Sequence, residues 1–188
     1  MSKKRLILTW VAATAAWADA GYLLLRADVG AIEYPLHPLR LLYYVLILLA
    51  PALTFFPIGR LMDLRTFGLE ATVCWAGLLA VVAFVPPDAA GLAGYFGLLA
   101  CLFGAVASIL LPVGYALGFK LLTLRVHRRD TGRARREAYL GALFVVLSAA
   151  MNVGGFYNAL NAVLLALILV LVESFALARK PGTISNGL

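Results

Sequence analysis

Charge is what this sequence has least of. Only 13% of its 188 residues are Asp, Glu, Lys or Arg, and nine are acidic, against a 63% hydrophobic share and a mean hydropathy of +0.94. A soluble domain is usually about half apolar, so a water-soluble globule is excluded. Histidine is almost missing as well: His37 and His127 are the two in the chain, and both lie between apolar runs rather than in them. No apolar helix can then offer the axial imidazole that a membrane cytochrome needs. The apolar runs contain no lysine, which removes a retinal Schiff base. The two cysteines, Cys74 and Cys101, sit one to a run and form no disulfide framework, reading instead as small packing residues. Paired HExxH, CxxC, phosphate-cradling glycine loops and GxSxG elbows are all lacking. No cofactor, metal site or catalytic constellation is expected, and the chain reads as non-enzymatic.

What the sequence has in quantity is long uncharged runs. A helix crossing roughly 30 Å of hydrocarbon needs about 20 apolar residues, and runs near that length predict spans at about 6–25, 40–58, 68–85, 91–119, 138–154 and 157–178. The expected fold is all-α, a polytopic integral membrane bundle of six transmembrane helices in a single domain covering 1–188. Lys3, Lys4 and Arg5 before the first run resemble the start of a signal peptide. The run is longer than a signal core and further spans follow, so a retained first helix is expected.

The basic residues predict an orientation. With the N-terminus inside, fourteen of the sixteen Lys and Arg residues fall on the inner side, and only Arg26 and Arg40 remain outside. That bias is the positive-inside pattern, and it places both termini in the cytoplasm of a bacterial-type inner membrane. Tyr22, Tyr43, Tyr44, Tyr95 and Tyr157 fall near outer helix ends, as an interfacial belt would. The segment 120–137 is read as a basic cytoplasmic loop. Lacking interleaved aromatics for base stacking, it is not expected to bind nucleic acid. Its Arg125, Arg128, Arg129, Arg133, Arg135 and Arg136 are expected to meet anionic lipid headgroups or a partner.

Small residues recur at helical spacing: Ala12, Ala16 and Ala20 in the first run, and Gly97, Gly104, Gly114 and Gly118 in the fourth. Such faces let helix backbones approach closely in lipid, within this chain, against a second copy, or against another membrane protein. Pro51 and Pro112 each remove a helical donor and predict kinks.

The remaining polar residues need an account. Glu70 and Glu173 lie near Arg65 and Arg179 and are expected to pair with them. Asp19 lies well inside the first run, where a carboxylate costs a few kcal/mol unless paired, protonated or wet, so it is expected to face the bundle interior. Ser148, Asn152, Tyr157, Asn158 and Asn161 flank the Gly154-Gly155 turn between the last two runs, at a depth comparable to Asp19. They either glue the hairpin or join Asp19 in a polar site in the outer half of the bundle. The leading functional expectation is binding or transport of a solute or ion at that site. The alternative is an accessory subunit that docks through its small-residue faces and basic loop.

Overall fold

The computed structural model describes residues 3–32, 34–64, 66–86, 91–121 and 131–178. Among them the fold is all-helical, with α1 at Lys3–Leu25, α2 at Pro38–Leu61, α3 at Phe67–Phe84, α4 at Gly91–Leu121, α5 at Thr131–Val153 and α6 at Ala159–Ala178. The first five are long and apolar enough to cross a membrane, and the described part of α6 is a shorter apolar helix. The chain divides into two compact units, residues 1–142 and 143–188.

In the first unit α1, α2, α3 and α4 pack in sequence order, each against the next. Hydrocarbon gives helices no hydrophobic reason to associate, so close packing and interhelical hydrogen bonds carry the fold. One buried cluster joins α1 to α2 through Ala16, Ala20, Leu23, Tyr43, Leu46, Ile47 and Ala50. A second joins α2, α3, α4 and α5 through Phe55, Met62, Phe67, Ala71, Leu111 and Ala138. Between the clusters two indoles find hydroxyl partners, as buried indoles usually do. Trp17 Nε1 donates to Thr54 Oγ1 at 3.0 Å, and Trp75 Nε1 donates to Ser108 Oγ at 3.0 Å. The two rings meet edge to face with centroids 5.1 Å apart, tying four helices together at one level.

The helix ends follow from local sequence. His37 caps α2, its Nδ1 accepting from Leu39 N, and Pro38 takes the first helical position, where a missing N–H costs nothing. The loop before it is held by Arg40, whose Nη1 donates to Ile32 O at 2.7 Å and whose guanidinium lies 4.7 Å over the Phe84 ring. α2 closes in a left-handed turn at Asp63 (φ 54), with Leu64 N donating to Gly59 O and Asp63 N to Arg60 O. α2 and α4 stay continuous helices through Pro51 and Pro112.

The largest departure from the sequence reading is at α5. Helix begins at Thr131, so Arg133, Arg135 and Arg136 are helical rather than part of a loop running to 137. Ala134, Ala138 and Ala142 recur every four residues and are all buried, while Arg133 and Glu137 pair at 2.6 Å across one turn of the adjoining stripe. The small face meets α4: the nearest atom to a Cβ built at Gly141 is Leu110 Cδ1 at 2.7 Å, and Gly114 lies 4.0 Å from Ala134 O by the same measure.

In the second unit α5 ends in the same kind of left-handed turn as α2. Gly155 (φ 75) lets Phe156 N donate to Met151 O and Gly155 N to Asn152 O. α6 starts at once behind it, with a half-buried stripe of Ala162, Leu165, Ala166, Leu169 and Glu173.

Candidate functional site

A slender cavity of about 220 Å³ opens between α3, α4 and α5 within the first unit. Its polar end is built by two helices. Glu70 stands in the first turn of α3, and Arg135 and Tyr139 stand one turn apart on one face of α5, where Arg135 reaches the carboxylate and Tyr139 reaches Arg135. Arg135 Nη2 donates to Glu70 Oε2 at 2.7 Å and to Oε1 at 3.0 Å, and its Nε donates to Tyr139 Oη at 2.9 Å. The Glu70 and Arg135 side chains are 46% and 39% exposed, so this end communicates with the surroundings. Beyond it the walls turn apolar, with Phe67, Ala71 and Leu111 near the ion pair, then Cys74, Phe103 and Gly104, and finally Ala100. Ser108 also lines the cavity, but its hydroxyl is already occupied, accepting from Trp75 and donating to Ala105 O.

The α3–α4 wall owes its fit to a reciprocal pairing. A Cβ at Gly104 would collide with the Sγ of Cys74, and one at Gly77 would lie 2.8 Å from the Sγ of Cys101. Each cysteine therefore fills the gap left by a glycine on the other helix. The signal was in the sequence, since Cys74-Trp-Ala-Gly77 and Cys101-Leu-Phe-Gly104 repeat one pattern on consecutive helices. Two antiparallel helices mate such patterns head to tail.

The polar residues singled out from sequence are placed differently. Asp19 is exposed, sharing a stripe with Ala12 and Ala15, which are exposed too. The buried face of α1 is instead Ala13, Ala16, Ala20 and Leu23. The expectation that Asp19 faces the interior of its bundle is corrected: both stripes are rich in alanine, and α2 packs on the one that lacks the carboxylate. Asn158 caps α6, its Oδ1 accepting from Asn161 N at 2.7 Å, and Asn161 Nδ2 donates to Phe156 O at 2.6 Å. Asn152 and Tyr157 are exposed, and the Ser148 Oγ is buried without a hydrogen-bond partner. The asparagines on α6 thus serve their own helix start.

Of the packing residues, Ala16, Ala20 and Gly118 are buried and Gly104 is in close contact, whereas a Cβ at Gly97 would meet nothing within 4 Å. Glu70 pairs with Arg135; Arg65 and Arg179, the partners expected for Glu70 and Glu173, lie outside the described residues, as do Arg125, Arg128 and Arg129. Arg133 and Arg135 are engaged in ion pairs, and the Nε of Arg136 is buried without a partner. Sequence reading missed Tyr139 as a cavity residue and Arg135 as the partner of Glu70 because both fell in or beside the expected loop.

Comparison with known proteins returns nothing. No family model, no curated protein and no solved structure matches this chain. Function therefore rests on the geometry.

Proposed function

We propose that this chain is a six-span membrane protein, both termini in the cytoplasm of a bacterial-type inner membrane, that binds a small solute within its helices. The observation that carries the reading is the α3–α4–α5 cavity, apolar along most of its length and lined at one end by Glu70 and Tyr139 from two helices. Ligand sites commonly have this form, apolar walls with a few convergent polar groups. Asp19 and the asparagines give way to it as the candidate site, since Asp19 is exposed and Asn158 and Asn161 are occupied in a helix cap. The positive-inside pattern puts Glu70 and Arg135 in the cytoplasmic half of the bundle.

Native mass spectrometry of the protein released from mild detergent tests the proposal. Ala107 also lines the cavity, and the wild type is expected to carry a small-molecule adduct that Ala107→Phe, which fills the cavity, loses while keeping its melting profile. Wild type and variant with identical spectra would sink it.

One observation favours a second reading. An exposed carboxylate on a membrane-spanning face, set among Ala12 and Ala15, suits an accessory subunit docking a partner helix that offers a cation or donor. A co-purifying polypeptide released by Asp19→Leu, with the solute adduct unchanged, would support it.

A further inference from the structure

The charge balance and the length of the cavity restrict what it can hold. Ala100 and Leu111 mark its two ends on α4, and at 1.5 Å per residue they are about 16 Å apart. A volume of about 220 Å³ over that length is a slot one chain wide. With liquid water at about 30 Å³ per molecule and a methylene of similar size, it encloses roughly seven carbons of a tail, and a longer tail runs out past the exposed Ala100. Two acyl chains or a fused ring system do not fit. Ala100, at the far end, is exposed, so a molecule dissolved in the bilayer can enter sideways.

The polar end is specific in a different way. Glu70 and Arg135 cancel each other's charge, and the guanidinium is already spent on the carboxylate through Nη2 and on Tyr139 through Nε. An anionic head would have to displace Glu70, and a cationic head would have to displace Arg135. Of these groups Glu70 and Tyr139 line the slot: the Tyr139 hydroxyl, which accepts from Arg135, keeps its own proton to donate, and the Glu70 carboxylate accepts. A single group satisfies both when it accepts one hydrogen bond and donates another, as a hydroxyl does.

We propose that this slot binds a single-tailed amphiphile with an uncharged hydroxyl head, its oxygen between Glu70 and Tyr139 and its tail along Cys74, Phe103 and Gly104 toward Ala100. The inference rests on the cavity being the binding site, and adds the chemical class of its occupant.

The test uses the full chain in phosphatidylcholine nanodiscs, with decanol carrying a chain diazirine as photoprobe and decanol, decanoate and decylamine as competitors. Saturable labelling of α3 and α4 is expected, with decanol competing at least about tenfold better than either charged analogue, a modest difference in binding free energy. Ala107→Phe, or Ala100→Phe at the exposed end, should abolish the labelling. Glu70→Gln should reverse the preference, because Arg135 is then uncompensated and decanoate becomes the better competitor. Labelling that does not saturate, or that both filling variants retain, removes the cavity as a site altogether. Saturable labelling that decanoate or decylamine displaces best in the wild type overturns the head-group assignment while leaving the cavity reading intact.

Discussion

Cys74 on α3 and Gly104 on α4 are complementary shapes, the sulfur of one occupying the volume that a side chain on the other would need. Gly104→Ala therefore overpacks the interface, and such insertions typically cost about 1–3 kcal/mol. The variant should melt measurably lower in detergent, and adding Cys74→Ala, which removes the nearest atom, should recover at least part of the loss. If Cys74→Ala gives no recovery, the pairing is not what positions these helices.

The Trp75–Ser108 hydrogen bond couples α3 to α4 between a half-buried indole and a buried hydroxyl. Ser108→Ala leaves an indole N–H without its acceptor, a loss of about 1–3 kcal/mol when such a group stays buried. In a Trp75→Phe background the same substitution should cost much less. A double-mutant cycle followed by thermal unfolding checks this, and additive effects would count against the bond.

The Glu70–Arg135 pair, by contrast, should contribute little to stability. Both side chains are more than a third exposed, and pairs of this kind are worth about 1 kcal/mol or less. Glu70→Gln is expected to shift the melting temperature only slightly while changing ligand preference. A large loss of stability would mean that the pair is structural first.

Asn158 is assigned to helix initiation. Replacement by Ala should destabilise the start of α6 by about 0.5–2 kcal/mol, and Ser or Asp should be tolerated. Amide hydrogen exchange across residues 159–162 reads this directly. Exchange unchanged in Asn158→Ala would remove the capping role and return the asparagine to the list of free polar groups.

Orientation is checked by single cysteines in a Cys74→Ala, Cys101→Ala background. Asp63→Cys and Arg125→Cys should react with impermeant reagents only from the cytoplasmic side, and Pro86→Cys and Gly155→Cys only from the other, as the distribution of basic residues requires. Any site labelled from the wrong face breaks the proposed topology.

How much of this was readable in advance differs by feature, for physical reasons. Helix positions follow from the apolar runs, because a span must satisfy its backbone internally whatever its neighbours are. The start of α5 did not, because Arg133, Arg135 and Arg136 mask a helical period that Ala134, Ala138 and Ala142 set. The face of α1 was ambiguous for a related reason: alanines occupy both stripes, and composition does not say which one a neighbour covers. Asn158 and Asn161 carried a capping signal that was visible in sequence once the helix start was placed. The partner of Glu70 was not legible at all, since Arg135 lies 65 residues away and only the fold brings the two together.

That separation has a consequence for biosynthesis. Glu70 enters the bilayer on α3 while its guanidinium is still unmade, and at roughly 5–20 residues per second the 65-residue wait lasts on the order of 3 to 13 s. The link from Trp17 to Thr54 is available as soon as two helices have emerged, whereas the carboxylate waits for the fifth. During that interval the first-turn carboxylate of α3 is left to its surroundings and to the Thr66 side chain beside it, so the link from α3 to α5 can close only after α4 has emerged.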